Sequence, residues 1–332
     1  MSSLRIAIVL LCSTVFLACN NSVDVFGYSR EEFVELIVEG EVQLQDLELD
    51  EEKLRAAFTA LESGDAYYLS YFLLGEGLED AGKTALLHEA HNGEEPYRFQ
   101  AVRKLSEIFR ENSDWNSLQE LLQDFNTVYA HYPELYVNYG ESLYRLERDR
   151  ELRDYIEVAK GRTPALFDDA HSVVATETAL WEAVIALRAE SSRAPELVRR
   201  LFMNYPAGPV HTRVYVYLIA RPQLLTYFSS DEFSLFAAKF HQAERRPEQA
   251  WQSYTQALAV MRSNQATSGV DAGASHGLSL NPTLISDIGA TLAAAGRLTN
   301  GALYLAELAS ELDEHERSVA HAWRGRLLRA LG

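Results

Sequence analysis

Residues 134–164 of this chain read ELYVNYGESLYRLERDRELRDYIEVAKGRTP. Tyr136, Tyr139 and Leu143 recur at helical spacing, and the small Gly140 lies among them. A second apolar set follows at the same spacing after a short polar turn, so the stretch predicts two amphipathic helices. A glycine inside a helix lets a neighbouring helix approach closely. Because one pair cannot bury both apolar faces, further pairs are expected to stack on it.

The same order of large and small residues recurs in degenerate form before and after this stretch. It resembles the tetratricopeptide (TPR) repeat, whose period is about 34 residues. The resemblance implies an all-α, TPR-like α-solenoid of stacked antiparallel helix pairs over residues 29–332. An irregular helical bundle with accidental periodicity is the alternative. The glycine position of the copies is occupied by Gly75, Ser106, Gly140, Ala238 and Gly289, with Gly82 and Gly296 expected in turns.

Bulk composition restricts the classes of function. Hydrophobic residues make up 47 % of the 332 positions, which allows a continuous core. The formal net charge of −18 disfavours nucleic acid and anionic lipid as partners of the folded body. Both cysteines, Cys12 and Cys19, lie in the first 20 residues, so the remaining chain has no disulfide, thiolate nucleophile or cysteine metal site.

The N-terminus carries a short apolar run that ends at Ala18-Cys19 and then turns polar. The run is too short to span a membrane as a helix but has the length of a signal-peptide core. It resembles a bacterial lipoprotein signal, although Phe16 and Leu17 depart from the usual pattern. The resemblance implies removal of residues 1–18, lipidation of Cys19 including palmitate, a tether over 19–28, and a position on the periplasmic face of a membrane in the cell envelope. An ordinary cleaved signal and a retained anchor are the alternatives.

Two segments could carry chemistry by motif. Residues 77–84, GLEDAGKT, match the phosphate-loop pattern, but the residues before them keep helical spacing and Glu79 and Asp80 would place negative charge in an anion cradle. A turn between helices is therefore expected there, with Lys83 opening the next helix. His88 and His91 have a spacing that can bind metal but no evident third ligand, so a polar helix end is expected.

Residues 164–230 depart from the repeat pattern but remain helical in composition. Residues 210–219 could form a strand on propensity alone, and their position between helix pairs favours a buried helix instead. The segment LFMNYPAGP resembles turns in the non-catalytic helical arm of soluble lytic transglycosylases, whose catalytic signatures this chain lacks. Residues 264–282 are rich in small residues and predict a flexible loop.

The sequence thus predicts a non-enzymatic scaffold or adaptor, with no catalytic, cofactor or metal site. Its partner is expected to be a protein or peptide bound in the concave groove of the solenoid, with the membrane contacted only through the N-terminal lipid. The alternative is a peptidoglycan-binding or lytic-transglycosylase-associated module. Projection of the helices exposes five candidate partner-binding residues, Glu141, Tyr144, Arg145, Lys239 and Gln242.

Overall fold

A computed structural model describes residues 24–25, 28–29, 64–75, 77–126, 128, 131–169, 172–267 and 280–331. The described chain is all-helical apart from a two-residue antiparallel pairing of β1 (Asp24–Val25) with β2 (Tyr28–Ser29). It divides into two compact units, Met1–Phe125 and Asn126–Gly332. The all-α prediction is therefore confirmed.

Fifteen helices lie in the described residues, and consecutive helices pack against each other in pairs. The first unit contains α1 (Asp65–Gly75), α2 (Glu79–Asn92), α3 (Tyr97–Glu111) and α4 (Trp115–Phe125). The second contains α5 (Pro133–Arg145), α6 (Asp149–Arg162), α7 (Val173–Arg188), α8 (Ala194–Asn204), α9 (Pro209–Ile219), the single turn α10 (Pro222–Leu225), α11 (Ser230–Ala243), α12 (Pro247–Thr267), α13 (Pro282–Ala294), α14 (Leu298–Ser310) and α15 (Glu314–Arg329), with a 3-10 turn at Pro164–Phe167.

Six turns between helices of the described chain share one backbone motif. Between α5 and α6, the N–H of Glu147 donates to the carbonyl of Tyr144 at 3.2 Å, and the N–H of Arg148 donates to that of Leu143 at 2.9 Å. This pair of bonds is the Schellman arrangement, which ends a helix with one residue at positive φ. The corresponding residues of the six turns are Gly77, Ser113, Glu147, Glu190, Arg245 and Gly296.

Alternate helices also pack side by side within the second unit. Helix α7 contacts both α5 and α9, α9 contacts α11, and α13 contacts α15. The apolar positions predicted for the first helix of the opening stretch, Tyr136, Tyr139 and Leu143, are buried in this core. The second helix of that stretch, α6, buries Leu152 and Ile156. Helix α8 additionally contacts α11 and α13, which brings the segment after α8 against helices far along the chain.

The structure corrects the predicted roles of two glycines and the bounds of one predicted loop. Gly82 lies inside α2 and Gly77 is the turn residue, with a φ of 82°. Gly75 is the last residue of α1 and therefore not a close-approach position within a helix. The ends of the flexible loop predicted at 264–282 are helical, because α12 continues to Thr267 and α13 begins at Pro282.

Several predictions concern residues outside the described part of the chain. They are the signal peptide over 1–18, the lipidation of Cys19, most of the tether over 19–28 and the central part of the loop, 268–279. The predicted helix over residues 210–219 is confirmed as α9, which begins with Pro209 in its first turn.

Candidate functional site

A network of charged side chains joins three alternating helices of the second unit. Glu141 on α5 accepts a hydrogen bond from Arg145 Nε at 2.7 Å and a second from Arg213 Nη1 on α9 at 3.1 Å. The other guanidinium nitrogen of Arg213 donates to Glu177 Oε1 on α7 at 2.7 Å. One arginine thus pairs with two carboxylates and ties α9 to both α5 and α7. We call the surface formed by Glu141, Tyr144, Arg145, Glu177, Arg188 and Arg213 the α5–α7–α9 face.

Glu177 is the most unusual group of the α5–α7–α9 face. Its Oε2 atom is buried and has no hydrogen-bond partner, although Oε1 is paired with Arg213. Burial raises the pKa of this carboxyl, against the opposing attraction of Arg213. A buried carboxylate oxygen without a partner is costly, so the bond between Oε1 and Arg213 offsets only part of the cost of burying this carboxyl.

Tyr144 lies between two cations on the same face. The guanidinium of Arg188 is 5.1 Å from the centroid of its ring, and that of Arg145 is 5.9 Å away. Arg188 is held in turn by Asp149 at 2.7 Å. Burial raises the pKa of Tyr144. The phenol is therefore half-buried with two guanidinium groups near its ring, an arrangement that suits a contact residue.

Three of the five predicted partner-binding residues belong to this face. Tyr144 is half-buried and the Arg145 side chain is 45 % exposed, so both can meet a partner. The expectation that Glu141 is exposed is wrong, because only 9 % of the residue is accessible beneath its two arginine partners.

The sequence prediction did not include Glu177, Arg188 and Arg213. A signal for the first two was present, since they are eleven residues apart on α7, about three helical turns, and so share one face. They are also rare charges in an otherwise apolar helix. Arg213 could not be found this way because its partners lie 36 and 72 residues earlier in the chain.

The prediction that Lys239 is exposed is wrong. Lys239 is fully buried, with Nζ 2.8 Å from Asp287 Oδ2 on α13 and donating to the carbonyl of Tyr205 at 2.5 Å. Burial lowers the pKa of this ammonium group, and the carboxylate of Asp287 opposes the shift. Gln242 is half-buried and accepts a hydrogen bond from the buried Tyr254 at 2.9 Å. Lys239 is thus a core residue and no part of a binding surface.

The chain between α8 and α9 is held by polar side chains on α9, on α11 and at the start of α13. Asn281 caps α13 and donates to the carbonyl of Met203 at 2.6 Å. His211, also fully buried, accepts from the N–H of Gly208 at 3.2 Å and lies 3.2 Å from the carbonyl of Leu201. Together with Lys239, these side chains form hydrogen bonds with backbone N–H and carbonyl groups of the connection that would otherwise lack partners.

The phosphate-loop pattern falls on a helix hairpin. It is preceded by α1 and not by a strand, and α2 has already begun at Glu79. The N–H of Gly82 donates to the carbonyl of Leu78 at 3.0 Å within the helix, so it does not point into a phosphate cradle. Lys83 lies 2.7 Å from Glu79 as an ordinary i,i+4 ion pair. These residues lack the strand–loop–helix geometry that the motif needs.

The two histidines with metal-ligand spacing lie near the end of α2. His88 Nδ1 is 3.4 Å from the amide nitrogen of Asn92, and burial lowers the pKa of His88. Within the residues that the structure describes, no group of three or more His, Cys, Asp or Glu side chains is placed to hold a metal ion. No helix among those residues is long and apolar enough to span a membrane.

Comparisons with protein-family models, with curated proteins and with solved structures found no match for this chain.

Proposed function

We propose that this protein is a non-enzymatic scaffold of the bacterial cell envelope, anchored by a lipid on Cys19, that binds a protein segment on the α5–α7–α9 face. The proposed architecture is a TPR-like α-solenoid. In its favour are the shared Schellman turns between helices and the side-by-side packing of alternate helices in the second unit. Such stacking produces extended surfaces suited to binding an elongated chain segment.

The observation that carries the proposal is the arrangement of Tyr144 between Arg145 and Arg188. Tyrosine and arginine are the side chains that most often dominate binding energy at protein interfaces. Here both arginines are held by carboxylates, so little side-chain entropy is lost when a partner binds. The partially exposed Arg145 suits an acidic group of the partner.

Affinity capture from detergent-solubilised envelopes, followed by mass spectrometry, tests the proposal. The wild type is expected to recover a stoichiometric protein partner, and Tyr144→Ala and Arg145→Glu are each expected to lose it. Arg329→Glu is the matched control, because Arg329 is exposed on α15, which packs against α13 and α14, and it should leave capture unchanged. A partner that all three variants retain would refute the assignment of the face. Recovery of saccharide fragments without a protein would favour the peptidoglycan-binding alternative.

The anchor is tested separately by membrane fractionation. Cys19→Ala is expected to move the protein from the membrane fraction to the soluble fraction, because stable anchoring depends on the attached acyl chains. Unchanged membrane association of this variant would contradict lipidation as the anchor without affecting the binding face.

A further inference from the structure

A pocket of about 260 Å³ lies between helices α12, α13 and α14 of the second unit. Its apolar wall is formed by Trp251, Leu292 and Tyr304, and its polar lining includes Arg297, Asn300 and Glu307. None of these residues belongs to the α5–α7–α9 face. The volume is below the ~300–1,000 Å³ of pockets for drug-sized ligands, so a ligand about one ring in size fits.

The polar side chains of the pocket come from one face of α14. Arg297 precedes the helix, and Asn300, Tyr304 and Glu307 follow at intervals of three, four and three residues. This spacing places all four on one helical stripe. The stripe therefore offers a cation, an amide, a phenol ring and a carboxylate along one edge of the same pocket.

The aromatic wall has a right-angled corner. The rings of Trp251 and Tyr304 are 4.8 Å apart between centroids and meet at 89°. Arg262 and Glu311 lie near Tyr304 and are joined by two hydrogen bonds of 2.9 Å that Arg262 donates. The Tyr304 hydroxyl is buried and lacks a well-directed hydrogen bond, although the Arg262 guanidinium lies close to it.

The combination of groups selects one chemical class of ligand. A pyranose ring presents C–H groups on its faces, which are attracted to the electron-rich face of an aromatic ring. Its edge carries hydroxyls that both donate and accept, which matches the amide of Asn300 and the acceptor Glu307. A purely apolar ligand would make no hydrogen bond with Asn300 or Glu307. An isolated ion would make no use of the aromatic wall, and Arg297 is already paired with Glu248 at 2.8 Å.

We propose that this pocket binds a single pyranose ring of a saccharide, stacked on Trp251 and hydrogen-bonded by Asn300 and Glu307. The site is independent of the α5–α7–α9 face. With both sites, the protein could bind a polypeptide and a glycan at the same time and hold them together.

Saturation-transfer NMR and calorimetric titration of the full chain with glucose and with N-acetylglucosamine test the proposal. At least one sugar is expected to bind with a dissociation constant in the millimolar range. Trp251→Ala and Asn300→Ala are each expected to weaken binding roughly fivefold to tenfold, as for loss of one stacking or hydrogen-bonding partner. Trp251→Phe is expected to weaken it less, because an aromatic face remains.

Two controls keep the test decisive. Asn300 is exposed, so Asn300→Ala is expected to fold normally even where Trp251→Ala does not. Tyr227→Ala removes an exposed tyrosine outside the pocket and should leave the titration unchanged. Absence of binding by both sugars to the wild type, or binding by Asn300→Ala equal to wild type, overturns the proposal. Tyr144→Ala should not alter sugar binding, which separates this result from the partner-binding test.

Discussion

The indole of Trp181 on α7 fills the space that a side chain at residue 140 on α5 would need. A Cβ atom added to Gly140 would lie 2.2 Å from the ring, well inside van der Waals contact. Trp181 is fully buried, so it has no free space into which to move. The relationship recurs at the other end of the unit, where a Cβ on Gly289 of α13 would lie 2.5 Å from Trp323 of α15.

Gly140→Ala is expected to destabilise the protein by about 1–3 kcal/mol, the usual cost of overpacking a well-filled core. Chemical denaturation monitored by tryptophan fluorescence measures the change in the free energy of unfolding. Gly325→Ala is the matched control: Gly325 lies inside α15, and no described atom is within 4 Å of an added Cβ. That change is expected to stabilise the helix by roughly 0.5–1 kcal/mol. Equal effects of the two substitutions would contradict the packing argument.

The buried pair of Lys239 and Asp287 is expected to behave as a unit. Lys239→Met leaves the Asp287 carboxylate buried without its cation, and Asp287→Asn leaves the ammonium without its anion. Each change is expected to cost about 3–5 kcal/mol, because an uncompensated charge remains in the core. The double variant should lose much less than the sum. A double-mutant cycle of unfolding free energies measures the coupling, and additive losses would show that the pair contributes no coupling energy.

The sequence predicted Gly140 because one small residue among large ones signals a close approach of helices. It could not identify Trp181 as the opposing side chain, since the two are 41 residues apart rather than one repeat period. Gly75 was assigned to the same role by periodicity. The role of a close-approach glycine instead belongs to Gly82, where an added Cβ would lie 2.7 Å from Leu74. The spacing therefore predicted correctly that a glycine allows two helices to approach closely, but it did not always predict which glycine does so.

Lys239 shows why the surface was harder to predict than the core. Projection on a helical wheel predicts that a lysine is exposed. The prediction fails where a carboxylate from another helix pairs with the lysine in the core. The acid here is Asp287, 48 residues later, on a helix that packs against the connection after α8. The bond between Glu141 and Arg213 also joins residues far apart in the sequence, and Arg213 lies in the stretch that departs from the repeat pattern. Long-range partners decide burial of charged residues, and one sequence does not reveal them.

Acid is expected to weaken the fold through His211. Burial lowers the pKa of this imidazole to about 3, and the charge of the nearby Lys239 acts in the same direction. The unfolded chain takes up a proton on this group near pH 6.5, whereas the folded protein resists it until about pH 3. Stability is therefore lost as the pH falls through this window, by at most about 1.4 kcal/mol per pH unit from this group.

The pH dependence is measured by comparing unfolding free energies of wild type and His211→Gln between pH 7 and pH 5. The variant is expected to be less stable at pH 7, because two hydrogen bonds are disturbed, but to lose less stability on acidification. Gly140→Ala serves as control, since it lowers stability without removing a titrating group and should keep the wild-type slope. Parallel pH profiles for wild type and His211→Gln would show that His211 is not buried in its neutral form.

The Schellman turns give the last prediction. Arg245 has a φ of 57°, a conformation that costs a residue with a Cβ roughly 1 kcal/mol relative to glycine. Arg245→Gly is therefore expected to stabilise the protein by about 1 kcal/mol, whereas Arg245→Val should destabilise it, because a β-branched side chain tolerates positive φ poorly. Arg245→Ala separates the loss of charge from the backbone effect and should match wild type.

Gly296 provides the reciprocal experiment, because it occupies the same position of its turn at a φ of 65°. No described atom lies within 4 Å of an added Cβ, so Gly296→Ala tests backbone conformation without a packing clash. It is expected to cost about 1 kcal/mol, the reverse of Arg245→Gly. Opposite signs at the two positions would establish that one turn geometry recurs with and without glycine. Changes in stability of the same sign for Arg245→Gly and Gly296→Ala would mean that the two turns differ in conformation in solution.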